Sequence, residues 1–248
     1  MRIAVVGLGQ IGGSIVLALR RNNAPVFITG IEPSLKRRRG LQASLDDAKK
    51  RWTNSIESDL IIVCTHYDET VGFLKQADST RLILDVCSGK AKLVQIANHR
   101  KLRFIGGHPM AGNEFAGEKG WRENLFDEAP FFLCPGELSS MADLKTVKTF
   151  VKQIDARSIM VDPDLHDRFV ATTSHFPALL AIFLRDMAKN IPAGFKGPGF
   201  QSMTRLANTP PELLNTFVKS NRSSMLASAR QMADLIAKWQ KQNAKTRG

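Results

Sequence analysis

Short apolar runs punctuate the first two thirds of the chain. They begin with "RIAVV" and continue through "APVFITGIE", "DLIIVCT" (59–65), "RLILDVCS" (81–88), "LRFIGG" (102–107), "APFFLCP" (129–135) and "ARSIMVD" (156–162). Each is of strand length and rich in β-branched or aromatic residues. Most are separated by segments whose apolar positions fall three and four apart, such as "MADLKTVKTFVKQI" (141–154), the spacing of an amphipathic helix. Strands alternating with helices predict an α/β domain with a mostly parallel, doubly wound sheet. Ligands of such sheets bind outside the carboxyl ends of the strands. Thr65, Ser88 and the loop containing His108 fall at those ends, on the same rim as the turn that follows the first strand.

After Asp162 the texture changes. From "PDLHDRFVATTSHFPALLAIFLRDMAKN" onward the β-rich runs vanish and apolar residues keep helical spacing. Pro163 suits a helix start, whereas Pro177 lies inside the pattern, where it should kink or locally break the helix. A glycine-rich loop and further helices follow. Leu213, Leu214, Phe217, Val218, Met225, Leu226, Met232, Leu235, Ile236 and Trp239 form long apolar stripes. Stripes of that size need cover, from the same chain or from a two-fold helical interface. The organisation expected is therefore a domain over 1–162 and an all-helical domain over 163–248, with only the extreme C-terminus frayed.

Composition narrows the class. The 43% hydrophobic and 23% charged content is that of a globular chain. No apolar run is long enough to span a bilayer, and the N-terminus lacks the apolar core and cleavage site of a signal peptide. Cys64, Cys87 and Cys134 lie in or beside apolar runs, as buried free thiols would, which suits a reducing, cytoplasmic setting better than disulfides or a metal site. The net charge of +12 attracts anions of many kinds. Its only dense run is "KRRR" (36–39), with a scatter in "KWQKQNAKTRG", and no nucleic-acid reading motif accompanies either. A small anionic ligand is favoured over nucleic acid.

The first candidate chemistry is "VVGLGQIGGS". Gly7, Gly9 and Gly12 follow a strand and enter a helix that opens with Gln10 and Ile11, which is the context a dinucleotide fingerprint requires. In that Rossmann arrangement the first glycine makes the tight turn, the second admits the pyrophosphate, and the third lets helix and strand pack closely. Glu32 ends the second strand, 20 residues beyond Gly12, where a carboxylate accepts from ribose hydroxyls and repels a 2′-phosphate. It favours NAD. Arg37 and Arg38 pull towards NADP, since a guanidinium can grip that phosphate.

The second is "GGHPMAGNEFAG" (106–117), where glycine and proline confine a single histidine in a stretch that suits neither helix nor strand. By composition alone it is a tight surface turn or a functional loop. Taken together, "VVGLGQIGGS", "DVCSGK", "FIGGHPMAGNEFAG", "LFDEAPFFLCP", "HDRFVATTSHFP", "GFQSMTRLA" and "NTFVKSNR" resemble, in order and spacing, the prephenate/arogenate dehydrogenase family of tyrosine biosynthesis. The resemblance runs from residue 5 to about residue 222. It implies oxidative decarboxylation of a cyclohexadienol, with hydride transfer to a nicotinamide cofactor. It also implies His108 as catalytic base or hydrogen-bond partner, with Ser88 orienting it near the nicotinamide. Arg205 would pair with a substrate carboxylate, His175 would line the substrate pocket and Asn113 would belong to the substrate loop. Thr65 would join the glycine turn in holding cofactor, and the helical domain would form a homodimer.

Three positions depart from the family pattern. Ala178 replaces the second histidine of "SHLPH", Asn113 stands where threonine is common, and His66 stands where proline is usual. Loss of a polar group at 178 tilts the expected substrate from prephenate, a 2-oxo acid, towards arogenate, a 2-amino acid. No regulatory or mutase domain is expected within the chain. Two other functions compete with this one: a dehydrogenase of small hydroxy acids, which would place a lysine catalyst on the helical domain, and a dinucleotide-binding sensor without turnover.

Overall fold

A computed structural model describes residues 1–113 and 115–244. The chain divides into two compact units, Met1–His166 and Asp167–Gly248. The expectation of a frayed extreme C-terminus falls on residues 245–248, outside the described residues.

The first unit is one eight-stranded sheet flanked by helices. In chain order it contains β1 (Arg2–Val6), α1 (Gln10–Arg21), β2 (Phe27–Ile31), α2 (Leu35–Gly40), β3 (Asp47–Lys49), β4 (Leu60–Val63) and α3 (Tyr67–Gln76). Then come β5 (Leu82–Asp85), α4 (Ala91–His99), β6 (Arg103–Pro109), β7 (Pro130–Pro135), α5 (Met141–Gln153) and β8 (Arg157–Met160). The strand order is β3-β2-β1-β4-β5-β6-β7-β8, and every pair is parallel except β6–β7. The order reverses at β1, so the turn after β1 opens into the crevice where such sheets bind ligands.

The alternation of the strands explains the two-sided burial. Ile3 and Val5 enter one core and Ala4 and Val6 the other, and Leu60 and Ile62 oppose Ile61 and Val63 in the same way. Side chains of this size are each worth about 1.5–3 kcal/mol when fully buried. Strand β3 escaped the sequence pattern. "DAK" carries no apolar alternation, and it pairs as an exposed edge with Thr29–Ile31 through backbone bonds alone.

The second unit is helical: most of α6 (Pro163–Val170), a π-helical turn at Ala171–His175, α7 (Phe176–Met187), α8 (Pro198–Thr204) and α9 (Pro211–Ala244). Helical backbone runs on from α6 through the π turn into α7, with Val170, His175 and Phe176 all in the right-handed helical region, so the local break expected at Pro177 takes the form of π-type hydrogen bonding in the turn just before it. Ala171, Ala178, Phe217 and Met225 form the small core of this unit. Leu235, Ile236 and Trp239 of the apolar stripe remain exposed along the far half of α9. Among the described residues no helix is long and apolar enough to cross a membrane.

Candidate active site

The turn from β1 to α1 is built for a close approach. Gly7 has φ +92°, and a Cβ there would lie 2.7 Å from the Cys64 carbonyl oxygen. A Cβ on Gly12 would overlap the Gly7 carbonyl, so helix and strand could not pack this closely. Gly9, the N-cap of α1, faces open space, and no side chain caps the helix there. Backbone N–H groups and the positive end of the helix dipole thus meet an uncrowded volume, which fits a pyrophosphate.

The residues around this turn are mutually tied. Gln10 Nε2 donates to the Asn113 carbonyl (2.9 Å), to Asn113 Oδ1 (2.7 Å) and to the Phe115 carbonyl (2.6 Å). Asn113 Nδ2 in turn donates to the Gly120 carbonyl at 3.0 Å. The Asn113 amide therefore links the Gly120 carbonyl to the first residue of α1. Ile11 packs against the core beneath the turn. Trp121, which no local motif announces, donates from Nε1 to the Gly9 carbonyl at 2.9 Å.

Glu32 lies just past β2 and is buried. Its Oε2 accepts from the Leu8 N–H at 2.9 Å and its Oε1 from the Ser34 N–H at 3.0 Å. The basic run is engaged locally: Arg37 pairs with Glu32 (3.5 Å) and Glu118 (3.5 Å), and Lys36 with Glu118 (2.5 Å). Arg38 donates to the carbonyls of Glu32 and Pro33. The Lys36 ammonium, foremost among several hydrogen bonds, draws the Glu118 carboxyl down to about 2, so this pairing persists at neutral pH.

At the carboxyl ends of β4, β5 and β6 stand Thr65, Ser88 and His108. Thr65 Oγ1 lies 3.0 Å from Thr70 Oγ1. Cys87 is buried, and that burial, reinforced by the Asp85 carboxylate, pushes its thiol up to about 12. It remains a neutral packing group rather than a nucleophile. His108 is buried, and its Nδ1 sits 2.9 Å from Nε2 of His166. The two rings meet edge to face at 75°, and Phe132 packs edge-on against the outer ring. Ser88 Oγ, expected to orient His108, is buried without a hydrogen-bond partner among the described residues. The contact at His108 Nδ1 is with His166. Asp162 sets the position of His166: its Oδ1 accepts from the N–H groups of Asp164 and Leu165, and its carbonyl accepts from that of His166. The pair is 58 residues apart in sequence. Its signal was the first histidine of "HDRFVATTSHFP", to which the sequence assigned no task.

In the second unit His175 is fully buried and stacked on Phe217, with centroids 4.2 Å apart and planes 16° apart. Its Nδ1 lies 3.3 Å from Asn221 Nδ2, which also donates to the Asp167 carbonyl at 2.6 Å. Asn221 departs from helical geometry inside α9 (φ −142°, ψ 32°), so the motif "NTFVKSNR" marks a kink as well as a polar contact. Arg205 is exposed where α8 passes into a 3-10 turn and makes no ion pair among the described residues. Ala178 is only 3% exposed and packs in the small apolar core, so the missing histidine is replaced by packing and not by open space.

Residues 15–160 match the family model described as "Prephenate dehydrogenase, nucleotide-binding domain", and residues 162–246 match "Prephenate dehydrogenase, dimerization domain". The chain is similar to a prephenate dehydrogenase of Bacillus subtilis, 29% identical over 241 residues that cover 90% of this chain and 65% of that one. It thus spans about two thirds of that relative's length. A cyclohexadienyl dehydrogenase of Zymomonas mobilis is 25% identical over 244 residues, covering 90% of this chain and 82% of its own. Among solved structures, the arogenate dehydrogenase of Synechocystis aligns with a TM-score of 0.84 at 25% identity, over 99% of this chain and 93% of that one.

Proposed function

The chain belongs to the prephenate dehydrogenase family, and from that premise we propose that it oxidatively decarboxylates a cyclohexadienol, arogenate in preference to prephenate, with NAD as hydride acceptor. The carrying observation is the buried His108–His166 pair at the end of β6, on the strand-end rim that holds the glycine turn. Residues 1–162 hold the cofactor, and residues 163–248 hold the substrate and a second copy of the chain. The exposed Leu235, Ile236 and Trp239 support that second role.

The nicotinamide ring supplies the acceptor for the hydride that leaves C4 of the substrate. The work of the protein is to place that carbon and take the hydroxyl proton. In the tautomer this role requires, His108 Nδ1–H would donate to His166 Nε2, 2.9 Å away, and His108 Nε2 would take the hydroxyl proton. Loss of CO2 from the opposite ring carbon returns its bonding electrons to the ring, which becomes aromatic and draws the oxidation forward. Arg205 presents a guanidinium fork shaped for a carboxylate.

The cofactor reading is supported by the engagement of Arg37 and Arg38 with Glu32, Glu118 and backbone carbonyls, which leaves the Glu32 carboxylate at the place of a 2′-phosphate. Glu32→Ser should lower kcat/KM with NAD and move the NADP:NAD ratio of kcat/KM upward by about tenfold, the scale of one charge-assisted hydrogen bond. A parent protein that already prefers NADP tenfold would refute this assignment.

The substrate reading rests on Ala178, which packs in the small apolar core and supplies no donor where the family histidine would donate to a keto acid. One absent polar contact is worth about 1–3 kcal/mol, so kcat/KM for arogenate should exceed that for prephenate by roughly 5- to 150-fold. Initial rates with both substrates and both nicotinamide cofactors test it. Equal or better use of prephenate overturns the reading of position 178. No turnover of either, with NAD still bound, makes the chain a sensor.

A further inference from the structure

Beneath the candidate base lies an ion pair with no assigned task. Asp85 and Lys90 are both fully buried, with Lys90 Nζ 2.5 Å from Asp85 Oδ2. The pair also reaches the neighbouring backbone. Asp85 Oδ1 accepts from the Gly107 N–H at 3.1 Å, and Lys90 Nζ donates to the Gly107 carbonyl at 2.6 Å. Asp85 Oδ2 accepts from the Cys87 N–H at 2.8 Å.

The sheet register explains why Gly107 needs these partners. Bonds from Gly136 N–H to the Phe104 carbonyl and from Met110 N–H to the Pro130 carbonyl fix the alternation of the β6–β7 ladder. In an antiparallel ladder, even-numbered residues of β6 therefore turn their polar groups to β7 and odd-numbered ones turn theirs to β5. Strand β5 ends at Asp85, and its last pairing with β6 is Leu84 with Ile105. Gly107 lies two residues beyond that rung. Its N–H and carbonyl would face the end of the strand without a ladder partner, at a cost for buried backbone groups.

We propose that Asp85 and Lys90 form a positioning pair that continues the β5–β6 ladder by one rung in side-chain atoms and so fixes His108 and the Ser88 loop relative to each other. One carboxylate holds the backbone on both sides: Gly107, which precedes His108, and Cys87, which precedes Ser88. Gly107 is glycine because a Cβ would overlap the Asp85 carbonyl and lie 2.8 Å from Leu84 Cδ1. A buried ion pair is weak evidence for stability, since apolar residues of similar volume often serve as well. Its distinctive contribution here is directional, a donor and an acceptor aimed at the two backbone groups of one residue.

This inference rests on the reading of His108 as the base, and the test separates the two. Lys90→Met alone leaves Asp85 as an unpaired buried charge and should fold poorly. The double variant Asp85→Asn with Lys90→Met removes both charges and keeps an acceptor for the Gly107 N–H. In the full-length, folded double variant, kcat should fall about 10- to 100-fold, the scale of an ångström-level misplacement. NAD affinity and substrate KM should stay within about twofold, since neither depends on this rung. The imidazole resonances of His108 in 15N-histidine-labelled protein should shift, while those of the exposed His99 stay in place. Unshifted His108 resonances in the folded double variant overturn the inference at any turnover. Shifted resonances with parental kcat support the positioning pair and overturn His108 as the base.

Discussion

His108→Asn should reduce kcat by roughly 10²–10⁴, the usual contribution of a positioned general base. Asparagine has nearly the reach of histidine and can still bond to His166, so the buried contact between these two positions should remain packed. What disappears is the imidazole proposed to take the hydroxyl proton. The Gly7–Gly12 turn and Glu32 are untouched, so NAD titrations should give the parental Kd within about twofold. Single-turnover measurements at saturating NAD place the loss on the chemical step. A folded His108→Asn protein with near-parental turnover would remove this residue from the mechanism and leave the His108–His166 pair as packing.

Arg205→Ala should act on a different parameter. The guanidinium is exposed and makes no ion pair among the described residues, so its removal breaks none there. The fold should therefore keep its melting temperature. Substrate interaction should weaken by about 2–5 kcal/mol, a roughly 30- to 5,000-fold rise in KM, as expected for truncating one side of a charge pair that the bound carboxylate would desolvate. Arg205→Lys keeps the charge but loses the two-pronged geometry, so it should recover only part of the loss. Unchanged KM in Arg205→Ala would take the carboxylate away from this arginine.

Much of the fold was legible because its signals are local. The glycine turn, the strand lengths and the change to helical spacing after Asp162 each depend on residues within one or two turns of chain. Strand β3 was not legible, because a polar edge strand is defined by its neighbour and not by its own pattern. The same holds within the site. The "DVCSGK" motif drew attention to Ser88, yet its ends, Asp85 and Lys90, carry the contacts to Gly107. Nothing in a linear pattern tells which of two polar side chains turns inward. His166 and Trp121 show the limit most plainly: each meets its partner across more than fifty residues, so only the folded sheet brings them to His108 and Gly9.

Glu32 gives the unit a constraint on how its cofactor preference can drift. The carboxylate proposed to disfavour NADP is also an acceptor for the N–H of Leu8, inside the turn proposed to hold the dinucleotide. On that proposal one side chain serves both selectivity and the integrity of the turn, and a lineage would not relax the first without loosening the second. Arg37 and Arg38 lie outside that bind, because they reach Glu32, Glu118 and backbone carbonyls from a helix with no buried residues. Adaptive changes in cofactor use would therefore accumulate first along α2 and around Glu118, with replacement of Glu32 admissible only after another acceptor had been recruited for Leu8. The order of substitutions, and not only their sum, is written into this corner of the sheet.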